Sequence, residues 1–149
     1  MSDERPIDDG HCFGCGRNNP IGLQLHFEPN GSGAVRTTVV LTQPYQGWRG
    51  VAHGGIVATL MDEAMAYAAG EAGYLGMTAE LTVRFRKPVP LDEPLELTAH
   101  TLWQRRNVFA FEASISDAGG TVLASAQGNF VARDKLAPGQ VLGEPDGVE

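Results

Sequence analysis

The sequence contains no run of about 18 apolar residues, the length a membrane-crossing helix requires, so no membrane span is expected. Basic residues are also few. Eleven Lys and Arg stand against eighteen Asp and Glu, a net charge of −7. That balance argues against a nucleic-acid partner bound through bulk electrostatics, while leaving room for an anion held by a local basic strip. Only two cysteines occur. The start, "MSDERPIDDG", is acidic and polar, unlike a secretory signal, so a cytoplasmic location is the expectation. No internal repeat is visible.

What is present fits one globular domain. The chain has 149 residues and is 42% hydrophobic, enough to bury a single core. Residues 1–10 are expected to be disordered, and "KLAPGQVLGEPDGVE", rich in Gly, Pro and acid, reads as a flexible tail over 134–149. Between them "LQLHFEP" and "AVRTTVVLT" alternate as strands do, on either side of the turn "NGSG". After the loop "QPYQGWRGVA", one long helix begins near His53. Four further strands follow in "TAELTVRFRKPV", "LELTAHTLWQ", "NVFAFEASISD" and "TVLASAQGNFVAR", with "DAGG" turning the last hairpin. In the first of these, Leu81, Val83 and Phe85 share one face, and Glu80, Thr82, Arg84 and Arg86 the other. One helix among antiparallel strands defines an α+β domain of about six strands.

The helix "HGGIVATLMDEAMAYAAG" is apolar on nearly every side and holds no Lys or Arg, yet it carries Asp62 and Glu63. A helix of that kind needs more than one cover, so at least a dimer is expected. At 100° per residue Asp62 shares a face with Ala58, Thr59, Met65, Ala66 and Ala69, a shallow apolar groove. An acid there faces either a ligand or the solvent edge; Glu63, one position round, is expected to face solvent. At the helix start Gly54 and Gly55 expose backbone N–H groups at the positive end of the dipole, a site for a polarised carbonyl, or simply a tight helix entry. Asp62 lies eight residues beyond Gly54, roughly 12 Å along the axis. One carbonyl carbon cannot touch both, so if the two act together the site must straddle two subunits.

The remaining signal is "HCFGCG", with Cys12 and Cys15 in C-x-x-C spacing. A structural zinc usually takes four ligands, and no second C-x-x-C occurs. Two reduced thiols in a turn and no metal are the expectation, with a zinc site, for which His26 in an extended-looking segment is the nearest further ligand, or a redox pair as the alternatives.

"HGGIVATLMDEA", together with "GMTAELTVRFRKPVP" and "CFGCGRNNPIGLQLHF", resembles the hotdog-fold acyl-CoA thioesterases, in particular the phenylacetate-pathway and thioesterase-superfamily branch. The likeness covers about residues 11–133. It implies a helix wrapped by an antiparallel sheet, dimers that pair their sheets, and often dimers of dimers. It implies that Asp62 is the catalytic carboxylate, as general base or nucleophile, and that Gly54 donates its N–H to the thioester carbonyl with Gly55 beside it. His53 is then the motif histidine that orders the helix start, and Thr78 a hydroxyl that helps orient water. Relatives often place an asparagine in the loop before the histidine; here Gln46 is the available amide. Arg84, Arg86, Lys87, Arg105 and Arg106 become candidates for the CoA phosphates, or ordinary solubilising residues. Hydrolysis of an acyl-CoA to free CoA and an acid, with no cofactor, is the expected activity. An acyl-thioester hydratase or a non-catalytic acyl-CoA binding protein on the same fold is the alternative.

Overall fold

The computed structural model describes residues 5–145. Its order is β1 (Glu28–Pro29), β2 (Ala34–Val40), a 3-10 turn (Gln43–Tyr45), α1 (Gly54–Glu71), β3 (Tyr74–Phe85), β4 (Pro94–Arg105), β5 (Val108–Ser116) and β6 (Val122–Lys135). All strand pairs are antiparallel, in the order β1-β2-β4-β5-β6-β3. The α+β arrangement read from the sequence is therefore the one observed. Among the described residues no helix is long and apolar enough to cross a membrane.

The helix sits on one face of the sheet because its apolar residues recur at helical spacing. Val57, Leu60, Met61, Ala64, Met65, Ala68 and Ala69 are all buried. Alanines along this stripe let the sheet come close, and Phe109, Phe111 and Phe130 fill the space from β5 and β6. Phe109 and Phe111 stack with centroids 5.8 Å apart, and Phe130 meets Phe111 edge-on at 5.3 Å. Met65 and Ala69 belong to this core, so the groove expected around Asp62 is not open; Asp62 lies half-buried at its margin. Gly73, at φ +94°, ends the helix in a conformation that suits glycine, its N–H bonded to the Gly70 carbonyl at 2.9 Å.

Two sequence expectations need correction. The strand expected over 23–29 shrinks to Glu28–Pro29, although Leu25 and Phe27 are buried as the alternation requires. The N–H groups of Leu23 and Leu25 donate to the carbonyls of Phe13 and Gly14 at 2.8 and 2.9 Å, and Gln24 adopts φ +54°. The earlier cysteine loop, not β2, takes this backbone. The segment read as a loose tail also begins later and packs back. Asp134 and Lys135 belong to β6, the Tyr67 hydroxyl donates to the Leu142 carbonyl at 2.9 Å, and Gly143 N–H donates to Asp8 at 2.7 Å. Arg5 pairs with Asp134 at 2.9 Å, drawing the N-terminal stretch onto the same region. Residues 1–4 and 146–149 of the expected termini lie outside the described residues.

The hairpin at Asp117 is as read. Its carboxylate accepts from Gly119 and Thr121 N–H at 3.0 and 2.9 Å, and Gly120 takes φ +84°.

Phe111 is fully buried and touches two other rings. Phe111→Ala is expected to lower unfolding free energy by about 3–5 kcal/mol, read as a shifted urea midpoint at unchanged slope. A loss below about 1 kcal/mol would mean the ring does not anchor the core.

Candidate active site

His53 is the N-cap of α1, with extended backbone (φ −60°, ψ 135°), and its Nδ1 accepts the Gly55 N–H at 2.9 Å. Accepting that bond commits the ring to helix initiation. The His53 backbone N–H donates to the Tyr45 carbonyl at 2.9 Å, which ties the preceding loop to the helix start. This separates the two glycines. The Gly55 donor is taken, and a Cβ there would press on the imidazole at 3.1 Å. Gly54 N–H, at the first helical position, makes no hydrogen bond among the described residues. Of the paired donors expected from "HGG", one remains.

Gln46 turns inward on its own loop. Its side-chain carbonyl accepts the Gly50 N–H at 3.0 Å, and Gln46 bridges to Ala52 across the loop. The amide shapes the approach to His53.

Asp62 and Thr78 come together as the sequence suggested. The Thr78 hydroxyl donates to Asp62 Oδ1 at 2.6 Å. Thr78 stands on β3 beside a register shift, where Thr78 pairs with Phe130 but Glu80 pairs with Asn129. The extra residue, Ala79, is a β-bulge, and a bulge changes which face the following side chains occupy. Even-numbered Thr78 and odd-numbered Leu81 and Val83 can thus all face α1, the last two packing on the core. Period-two reading of an unbroken strand would have put Thr78 on the opposite face from Leu81.

Glu63 is the main correction. It does not face solvent but lies against the cysteine loop, its oxygens 3.7 and 3.6 Å from Cys12 Sγ. Burial pushes its carboxyl up to about 8. A hydrogen bond with Cys15, aided by backbone N–H groups of Cys15 and Gly14, pulls the Cys12 thiol down to about 5. Cys15 is raised, by that same hydrogen bond first and by burial second. Both thiols are free, Cys12 exposed and Cys15 buried. Nothing in the sequence linked Glu63 to a loop fifty-one positions earlier.

The five basic candidates do not form one patch. Arg105 pairs with Val108, Val108 with Val131 and Val131 with Met77, whereas Arg86 follows the far end of β3 at Phe85. Eight strand residues separate those levels, roughly 25 Å. Arg84 and Arg86 line a depression of about 250 Å³ with Thr82, Glu112 and Gln127 on the sheet face away from α1. Arg86 and Lys87 also border a hollow of about 270 Å³ with Val51, Val57 and Phe85, at the start of α1. Arg105 and Arg106 sit with Trp103 at the β4–β5 turn. None of the five forms an ion pair among the described residues.

A six-stranded antiparallel sheet on one long helix, with a capped glycine entry and a carboxylate eight residues on, is the framework of a thioesterase-type domain. The sequence pattern of the Thioesterase superfamily matches residues 49–124, and the chain belongs to that family. It is 35% identical over 94 residues to acyl-coenzyme A thioesterase THEM4 of Bos taurus, 61% of this chain but 38% of the relative. The chain thus spans well under half the length of that curated relative. The crystal structure of protein RHA08564, a thioesterase superfamily protein, superposes with a TM-score of 0.78 at 34% identity, over 86% of this chain and 67% of that one. A hypothetical thioesterase from Streptococcus pneumoniae, crystallised with coenzyme A, gives 0.71 at 21% identity over 75% and 90% of the two chains. Forms of the pneumococcal protein with alanine replacing an aspartate, or a threonine sixteen positions later, are also known.

The cap makes a stability prediction. His53→Ala is expected to cost about 1 kcal/mol, seen as a melting temperature lower by a few degrees, while His53→Asp, which also caps, restores most of it. Equal losses in both variants would show that the ring matters for something other than the Gly55 N–H.

Proposed function

We propose that the chain hydrolyses an acyl-CoA thioester to free CoA and a carboxylic acid, at a site made by two copies of itself. The observation that carries this is the pairing of a held carboxylate with an unused donor. Asp62 is fixed by Thr78 at 2.6 Å, and Gly54 N–H has no partner among the described residues. Thioester hydrolysis uses both: a carboxylate to draw a proton from water, and a donor where negative charge grows on the carbonyl oxygen. The bovine relative's name, the CoA held by the pneumococcal protein, and its aspartate and threonine at the separation of Asp62 and Thr78 support the reading.

On one helix the two groups are roughly 12 Å apart, so they serve different carbonyls. β3 is an edge strand of twelve residues, bonded only to β6. A second copy adding at that edge would run its helix antiparallel and bring its Gly54 towards Asp62 of the first. The carbonyl oxygen then accepts from Gly54 N–H at the positive end of α1. Water, relieved of a proton by Asp62, attacks the carbonyl carbon. The tetrahedral intermediate collapses with cleavage of the C–S bond, and the CoA thiolate leaves and is protonated. Thr78 occupies Oδ1 and leaves Oδ2 to the water. Arg86 and Lys87, beside the start of α1, are the phosphate contacts best placed for this site. The hydratase alternative gains no support, because His53 Nδ1 is bonded to Gly55 rather than poised with Asp62.

The test is release of free CoA from short, medium, long and aromatic acyl-CoAs. Asp62→Asn is expected to reduce kcat by about 10²–10⁴-fold with the fold intact. Gly54→Pro removes the donor cleanly. Proline is favoured at the first helical position, His53 already has the extended backbone a pre-proline residue adopts, and a Cβ at Gly54 meets only Phe85 at 3.6 Å. A loss of about 10²–10³-fold at near-native melting temperature is expected. Mixing the two inactive variants should recover about a quarter of wild-type activity, since half the dimers then hold one complete site. No turnover by the wild type on any substrate would sink the proposal, and no recovery on mixing would sink the shared site.

A further inference from the structure

The loop "HCFGCG" and Glu63 carry chemistry that thioester hydrolysis does not use. Cys12 Sγ, Cys15 Sγ and a Glu63 oxygen all lie within 4.8 Å of one another. Their spacing can be compared with that of a tetrahedral ion. With Zn–S near 2.3 Å and Zn–O near 2.1 Å, tetrahedral angles give an S···O edge of about 3.6 Å and an S···S edge of about 3.8 Å. The two Cys12–Glu63 distances are 3.7 and 3.6 Å.

The loop is shaped around these atoms. Gly16 N–H donates to the Cys12 carbonyl at 2.8 Å, closing the C-x-x-C turn. A Cβ on Gly14 would fall 2.5 Å from Glu63 Oε2, and one on Gly16 would collide with the Cys12 backbone. Glycine at both positions lets the turn wrap the sulfur and press on the carboxylate. Among the described residues no lysine or arginine pairs with Glu63, so a half-buried acid on an apolar helix has no cation from the protein to meet it.

We propose that Cys12, Cys15 and Glu63 form a zinc site, with both sulfurs as thiolates, the carboxylate binding through one oxygen, and solvent completing the tetrahedron on the exposed Cys12 side. Two thiolates select zinc over the hard cations calcium and magnesium. Binding releases the thiol protons to solvent. The ion ties the N-terminal loop to α1 beside Asp62, and its binding does not depend on the thioesterase reading.

The experiment uses the full chain, purified without chelator and free of any metal-binding tag. Elemental analysis is expected to give one zinc per chain. After chelation, cobalt(II) titration should give thiolate-to-cobalt charge-transfer absorption that saturates at one equivalent, and zinc should shield both thiols from a thiol-reactive dye. Cys12→Ser and Cys15→Ser should abolish the absorption, and Glu63→Gln should weaken metal affinity at least tenfold with helical content unchanged. The cobalt and thiol readouts on wild-type protein stand even where a variant fails to fold. Thiols that react freely in excess zinc, a Cys12–Cys15 disulfide in freshly purified protein, or no charge-transfer band would each overturn the site. Hydrolytic rate enters none of these readouts.

Discussion

Everything in this molecule hangs on the burial of one helix face. The stripe from Val57 to Ala69 has no other way to leave water than to lie on the sheet, and five of the six strands touch it. Burial of this apolar stripe is the main favourable term holding the layers together. It also determines where the polar groups stand. Once that stripe faces the sheet, Asp62 is placed at its margin against β3, Glu63 is turned towards the N-terminal loop, and Gly54 presents its N–H at the helix entrance. The same constraint that makes the core thus sets out the chemistry.

The two acids show how neighbouring residues diverge. Asp62 meets a hydroxyl at the edge of the sheet, while Glu63 meets two sulfurs beneath a glycine-rich turn. A rotation of 100° along the helix separates a solvent-accessible carboxylate from one whose burial favours its protonated form. The adjacent acids are tolerated because burial first, with the Asp62 charge as a smaller cause, favours the neutral form of Glu63.

Much of this was legible in the sequence, for reasons that can be named. α1 and β3–β6 follow from hydrophobic period and turn chemistry, both local; the positions of His53, Gly54 and Asp62 follow from a motif whose spacing is rigid on a helix, while Thr78, on β3, came from the family resemblance alone. What could not be read depended on distant backbone. β1 is short because Leu23 and Leu25 bond to Phe13 and Gly14, and no periodicity encodes that choice. The difference between Gly54 and Gly55 rests on where an imidazole points. The separation of Arg105 from Arg86 rests on strand register, and the partner of Glu63 on a loop fifty-one residues away.

The bulge at Ala79 divides β3 into two stretches with opposite parity. On its N-terminal side Thr78 answers to Asp62; on its C-terminal side Leu81 and Val83 answer to the core. The strand therefore works as two independently phased modules joined at a single residue. Gain or loss of one residue there would leave loop lengths untouched, yet would force a choice between the hydroxyl and the core. Variation in chain length among related domains should accordingly avoid this point, however exposed it is, and collect in the turns.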